Sequence, residues 1–405
     1  MGLGAGSIPL AATLNWVIKD GLGQLGGVAF SSLVNTRFDA NPKLWRMVAA
    51  VAMDASTLLE LLSPLAPGYF LLIASVANVG KNISFLAASA SRAAIHNVLS
   101  AKGNLADVTG KAGAQTILAC MIGTGGGIAL SALLGSEFQA IVPACLILSA
   151  VHLGTTYMAV RPLGMPTFDA QRLELMTSAN RSGEGMPTPR DLAARERIFG
   201  HAFRWQLGLD RSPPVTIGSR LEEAVCNRGE LEELCRACHG LPFLLSVRGH
   251  VDSRTSEVHV LLLEGCGARE VLAGGYVAHL ARSLLLERGL GRPRRGKELL
   301  RLAVKGSAPL GELMPDVIAE ALRQGAALPA PLPSAGVFVE AGWRNLSPRA
   351  GGGVGVEVAA EFVAAAERAG WDTSVVHLEK PESARLRLFH DVPVKGASGG
   401  GSYTK

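Results

Sequence analysis

Ionisable side chains set in apolar surroundings are the first candidates for chemistry in this chain. Lys19 and Asp20 interrupt an apolar, glycine-rich run over 7–36, and Asp54 and Glu60 stand among Met, Val, Ala and Leu. Lys81 breaks the run that begins at Tyr69, and Asp107, Lys111 and Gln115 fall in the polar stretch Asn104-Leu-Ala-Asp-Val-Thr-Gly-Lys-Ala-Gly-Ala-Gln115. An unpaired charge in hydrocarbon is costly, and such residues commonly mark a path for an ion or a small polar solute. Lys19, Asp20, Asp54, Lys81, Asp107, Lys111 and Gln115 are therefore the candidate functional polar residues. A plainer reading competes with this one. Adjacent Lys19 and Asp20 can neutralise one another, and Lys81 either faces a bundle interior or snorkels to mark the edge of a span.

Two other patterns suggest cofactors and are set aside. Gly21-Leu-Gly-Gln-Leu-Gly26 matches the dinucleotide GxGxxG letter for letter, with Asp39 about where a ribose-binding acid would fall. That chemistry needs a strand before the glycines, whereas 11–18 reads as helix and no alternating βαβ pattern follows. Cys235-Arg-Ala-Cys238-His239 matches the attachment motif of c-type haem, in which two thiols hold the porphyrin and the imidazole ligates iron. It sits at a helix end running into Gly240-Leu-Pro242 without a clear second axial ligand, so neither a cofactor nor a metal is expected. GxSxG, Walker A, HExxH and EF-hand patterns are absent, and the nine histidines are dispersed. An enzyme is the less favoured class.

The elements that position these residues are apolar helices. Ala112–Ser136 carries no charge, and Phe138–Val160 carries none beyond His152, with the carboxylate of Glu137 between them. Each segment is about 23 to 25 residues, and about 20 suffice for a helix to cross a bilayer, so a hairpin turning near Glu137 fits. Asn41 and Pro42 read as the N-cap and first position of a helix to about Leu62, and another runs from Tyr69 to about Asn97. About 14 charged side chains precede Arg161 and about 59 follow it, the latter close to the soluble average. The expected fold is mainly α: a helical membrane domain of about four apolar helices with at least one transmembrane hairpin, then a smaller soluble α+β domain. Boundaries are placed at 1–165 for the membrane domain, 166–190 for a linker, 191–390 for the soluble domain and 391–405 for a disordered tail.

Small residues repeat at four-residue spacing in two of these helices. Gly23, Gly27 and Ser31 form one set, and Gly123, Gly127, Ser131 and Gly135 another. Such a face lets a neighbouring backbone approach closely, within the chain or between copies. Beyond Arg161, Asp191–Leu207 reads as an amphipathic helix, and Pro242–Val247 with Val258–Leu263 as a β-hairpin. Helices are expected at about 268–287, 298–324 and 356–369, a Pro/Ala linker at 328–336 and a strand near 374–378. The net charge of +5 is spread over both parts, so no nucleic-acid face is expected. Six scattered cysteines imply no disulfide framework. The charge-free start lacks the basic region of a secretory signal, and Gly6 stands where myristoylation needs Ser or Thr.

Trp16-Val-Ile-Lys-Asp-Gly-Leu-Gly-Gln-Leu-Gly26, Asn41-Pro-Lys-Leu-Trp-Arg46 and the 104–115 stretch, in that order and spacing, resemble the Root UVB Sensitive (RUS) family domain. The likeness covers about 8–165 and continues faintly through Ala369-Gly-Trp371. Thr109-Gly110 replaces an expected Ser-Ala, Ala114 replaces a Ser, and the family's upstream aromatic helix is missing, so the N-terminus is expected to be incomplete. The resemblance implies a membrane protein linked to UV-B response, vitamin B6 homeostasis and auxin-related development, several members being plastid-targeted. Two functions follow as expectations. The first is a non-enzymatic adaptor or scaffold that pairs with itself or a RUS-family paralogue through its glycine faces. The second is a carrier whose intramembrane charges line a path for a solute such as a B6 vitamer; missing repeats and broken-helix pairs count against it.

Overall fold

A computed structural model describes residues 9–34, 37–100, 103–135, 137–199, 213–226, 228–238, 241–250, 255–287, 353–378 and 385–386. The chain forms two compact units, one of 1–210 with 364–377 and one of 211–363 with 378–405. The expected helices 298–324, linker 328–336 and tail 391–405 lie outside the described residues.

The first unit is helical. Its elements are α1 (Pro9–Val34), α2 (Arg37–Ala40), α3 (Pro42–Leu61), α4 (Phe70–Leu99), α5 (Leu105–Leu134), α6 (Phe138–Val160), α7 (Ala170–Arg181) and the short α8 (Pro189–Ala193). Asn41 caps α3 as expected, its side chain accepting from the Leu44 N–H at 3.1 Å, with Pro42 in the first turn. Pro64 and Pro67 cannot continue a helix, and two 3-10 turns at Ser63–Leu65 and Pro67–Tyr69 carry the chain back into α4. Small side chains let α3 and α4 pack closely: Ala49, Ala50, Ala74, Ala77 and Ala87 are buried, and the Ser84 hydroxyl donates to the Ala49 carbonyl at 2.6 Å. Met47, Val160 and Ile198 form a core cluster that fixes the end of α6 beside the start of α3.

Four segments are long and apolar enough to cross a membrane: Pro42–Leu65, Pro67–Leu99, Leu105–Leu134 and Phe138–Val160. The last has the bounds read from the sequence, whereas the third begins seven residues before Ala112 and ends two before Ser136. They bury almost nothing, with no buried residue in α5 and only Thr156 and Val160 in α6.

In the second unit, β1 (Val215–Ile217), β2 (Phe243–His250), β3 (Thr255–Leu263) and β4 (Arg385–Leu386) form one sheet. β2 and β3 make the expected antiparallel hairpin, with Phe243 opposite Leu262 and Val247 opposite Val258. β1 and β4 run parallel to β3. The helix Ala268–Glu287 covers the sheet and is buried along most of its length. Gly274 permits the approach, since a Cβ there would meet Val260 and Phe243 at 3.1 and 3.2 Å. Tyr276 stacks on Phe362 at 3.9 Å.

Two expected elements differ. The helix expected at Asp191–Leu207 is formed over Pro189–Ala193, started by a Thr188–Asp191 capping box, and the chain leaves it over 194–199, where Glu196 turns inward to buried cations; residues 200–207 lie outside the described residues. The strand near 374–378 is a single parallel bridge between Val376 and Phe168, since Asp169 already begins α7 by capping the Arg172 N–H. Within 166–190 the chain forms α7, whose Arg172, Leu173, Met176, Thr177 and Ala179 are buried.

Candidate functional site

Three of the seven candidate polar residues, Lys19, Asp20 and Lys81, meet where α1, α3 and α4 pack together. Lys19 on α1 is buried, with Asp20 at 3.6 Å, Glu60 of α3 at 3.5 Å and the Trp16 ring 4.1 Å below its ammonium. Glu60 also pairs with Lys81 of α4. Asn78 completes the group, donating to the Lys19 carbonyl and the Asp20 carboxylate at 3.1 Å each. Three helices are thereby tied by two lysines, two carboxylates and one amide. Lys81 is a bundle-facing charge and not an end residue. Asp54 lies apart from this group, with its oxygens 2.9 and 3.1 Å from Nδ1 of His152 on α6. Asp107 and Lys111 pair at 2.8 Å one turn apart on the exposed surface of α5, and Gln115 is exposed near them.

The glycine faces divide. On α1, Gly23 and Gly27 are buried, and a Cβ at Gly27 would meet Asn82 and Leu86 of α4 at 3.2 and 3.3 Å. Gly26 belongs to the same contact, with Val79 at 2.7 Å, while Ser31 is exposed and bonds the Val28 carbonyl. On α5, Gly123 and Gly127 have nothing within 4 Å. Ser131 is exposed, and Gly135 leaves the helix as its C-cap at φ 64°. The GxGxxG run lies wholly inside α1, so the strand that a dinucleotide site needs is replaced by helix. Cys238 is buried, its sulfur accepting from the Leu245 N–H at 3.5 Å, and burial pushes its thiol up to about 11. His239 lies outside the described residues. Among the described residues no three His, Cys, Asp or Glu gather to hold a metal.

Sequence reasoning missed a third network at the start of α3. Lys43 is 2% exposed and bonds Glu196 at 2.5 Å, while Arg172 bonds the other oxygen of Glu196 at 2.6 Å and the Thr167 carbonyl at 2.9 Å. Asp169 stands 3.6 Å from Arg172 and balances the charge. Burial opposes the Arg172 charge, but the carboxylates of Asp169 and Glu196 outweigh it and hold the guanidinium above its ordinary value. Two lysines with too few nearby acids were visible in sequence, and that imbalance was the available hint to Glu60. For Glu196, 153 residues from Lys43, there was none.

Residues 1–181 match the family model of the vitamin B6 photo-protection and homoeostasis domain. The chain is 31% identical over 274 residues to Protein root UVB sensitive 2, chloroplastic, of Arabidopsis thaliana, a match covering 68% of this chain and 60% of that protein. The chain is a member of the Root UVB Sensitive family. Protein root UVB sensitive 3 of the same plant is 30% identical over 191 residues, 47% of this chain and 43% of that one. RUS family member 1 of Dictyostelium discoideum is 27% identical over 203 residues, 49% and 38%. The RUS-family chain thus spans about 40 to 60% of the length of these relatives. No solved structure matches it. Its three motifs each supply an ion pair: the first holds Lys19 and Asp20, the second Lys43 of the Glu196 network, and the third the Asp107–Lys111 pair.

Proposed function

We propose that this chain is a non-enzymatic membrane adaptor in vitamin B6 homeostasis, assembling through α5 with a second copy or a RUS-family paralogue. The observation that supports this is the open small-residue face of α5: Gly123 and Gly127 meet nothing within 4 Å, and no residue of the helix is buried. Lipid has no reason to prefer glycine, whereas a partner helix can lie flush against it. The carrier reading loses part of its support, since Lys19, Asp20, Asp54 and Lys81 are each bonded within the protein. A plastid membrane is the compartment suggested by the chloroplastic relative, and UV-B response and auxin-related development are the processes suggested by the family resemblance.

Cys120, exposed on α5 one turn before Gly123, is a native reporter of such pairing. With the other cysteines replaced, mild oxidation in the membrane should yield a Cys120–Cys120 dimer between differently tagged copies. Gly127→Leu should reduce it about tenfold, as overpacking a close contact costs about 1–3 kcal/mol, and Leu130→Ala should leave it. Equal crosslinking in both variants would remove the scaffold reading's structural support.

A further inference from the structure

Beside the Asp54–His152 pair a cavity of about 320 Å³ opens among α3, α4, α5 and α6. Arg46, in the second turn of α3, and Arg92, two turns before the end of α4, both line it. No carboxylate does. Its other polar groups are the hydroxyls of Ser84, Ser89 and Thr116 and the imidazole of His152, and the remaining wall is apolar. Ser84 and Thr116 already donate to the carbonyls of Ala49 and Ala112.

The two arginines stand out against the other cations of this half. Lys19, Lys43, Lys81 and Lys111 each have a carboxylate partner. Arg46 and Arg92 have none among the described residues, and the charged group that acts on Arg46 is Arg92, of the same sign. Two cations facing one partly apolar cavity repel one another, and an anion between them converts repulsion into two attractions. The guanidinium fork matches a tetrahedral oxyanion bidentately, and two forks suit a dianion. At about 1.5 Å per residue, Arg46 lies about 6 Å from the start of α3 and Arg92 about 10 Å from the end of α4.

We infer that this cavity binds a phosphate monoester, held by Arg46 and Arg92 as a two-fork clamp, with the apolar wall taking the adjoining carbon skeleton. The phosphate belongs either to a lipid headgroup or to a soluble ester, and the two sources are separable.

The full chain, purified in uncharged detergent, is titrated with short-chain phosphatidic acid, phenyl phosphate or short-chain phosphatidylcholine while its melting temperature is followed. A ligand of the folded state raises that temperature by mass action. Phosphatidic acid or phenyl phosphate should raise it and phosphatidylcholine should not; a response to phosphatidic acid alone assigns the lipid source, and a response to phenyl phosphate the soluble one. Arg46→Gln and Arg92→Gln should each weaken the response about tenfold or more, the loss of a charge-assisted bond. Arg161→Gln, at an exposed cation outside the cavity, should not. Without ligand, Arg92→Gln should melt no lower than the parent, because it relieves a repulsion; a lower melting point would make Arg92 structural and overturn the inference. It is also overturned if no phosphate ester acts, if phosphatidylcholine acts equally, or if Arg92→Gln and Arg161→Gln respond alike. Should Arg46→Gln fail to fold, Arg92→Gln decides.

Discussion

Glu196 accepts from two buried cations, so Glu196→Gln leaves Lys43 and Arg172 with Asp169 as their compensation. Removing one partner from a buried pair costs about 3–5 kcal/mol, and a loss of that order should appear in thermal unfolding of the detergent-solubilised chain followed by helix signal. Lys43→Met combined with Glu196→Leu should recover part of it, because no lysine charge is then stranded. The exposed Asp107–Lys111 pair is the contrast: Lys111→Gln should change stability by less than about 0.5 kcal/mol. In the second unit, His259 is buried with Nδ1 3.0 Å from the Ser219 hydroxyl. Its Nε2 lies 3.3 Å from Glu257 without the alignment of a hydrogen bond. Burial lowers its pKa, opposed by Glu257 and assisted by Arg248. The unfolded chain then takes up this proton first, so stability should fall as pH drops through about 6.5, and a pH series of denaturant unfolding should show a shallower fall in His259→Gln.

Among the elements, α1 and α5 carry the same four-residue spacing of small side chains, yet the glycine face of α1 lies on α4 while Gly123 and Gly127 of α5 meet nothing within 4 Å. The spacing shows that close approach is allowed; it does not name the neighbour. Gly26→Leu should push α1 off α4 and destabilise the chain by about 1–3 kcal/mol, because the new side chain enters the space of Val79. Gly127→Leu should leave the melting of the isolated chain within about 0.5 kcal/mol, since a side chain there meets open space. Equal destabilisation by the two would mean that α5 packs within its own chain. The start of α3 was legible because Asn41 and Pro42 act locally. Helix α7 was not: its polar composition resembles a connector, and burial of Arg172 against Glu196, together with Leu173 and Met176, makes it part of the helical unit.

At the scale of the molecule, four apolar helices predict that the chain stays in the pellet after alkaline carbonate extraction, and release into the supernatant would contradict the membrane reading. The first unit also depends on residues remote in sequence. Trp371 is buried, its ring centred 4.9 Å from that of Phe168, and its Nε1 donates to the Pro187 carbonyl at 2.8 Å. His377 N–H bonds the Phe168 carbonyl at 2.9 Å. Trp371→Ala should therefore cost about 3–5 kcal/mol and expose Phe168, measurable as faster limited proteolysis around residues 161–190.

The sequence alone determined the four long apolar helices, the bounds of Phe138–Val160, the β-hairpin and the family, because periodicity, capping residues and short motifs act over a few turns. Only the tertiary structure decided which charges neutralise one another, which glycine face is occupied and which cations stand alone. Glu60 meets Lys19 and Lys81, His152 meets Asp54, and Glu196 meets Lys43 because helices far apart in the chain are brought side by side. A charge in a one-dimensional pattern has a cost but no address; packing supplies the address, and at Arg46 and Arg92 it supplies a cavity in place of a partner.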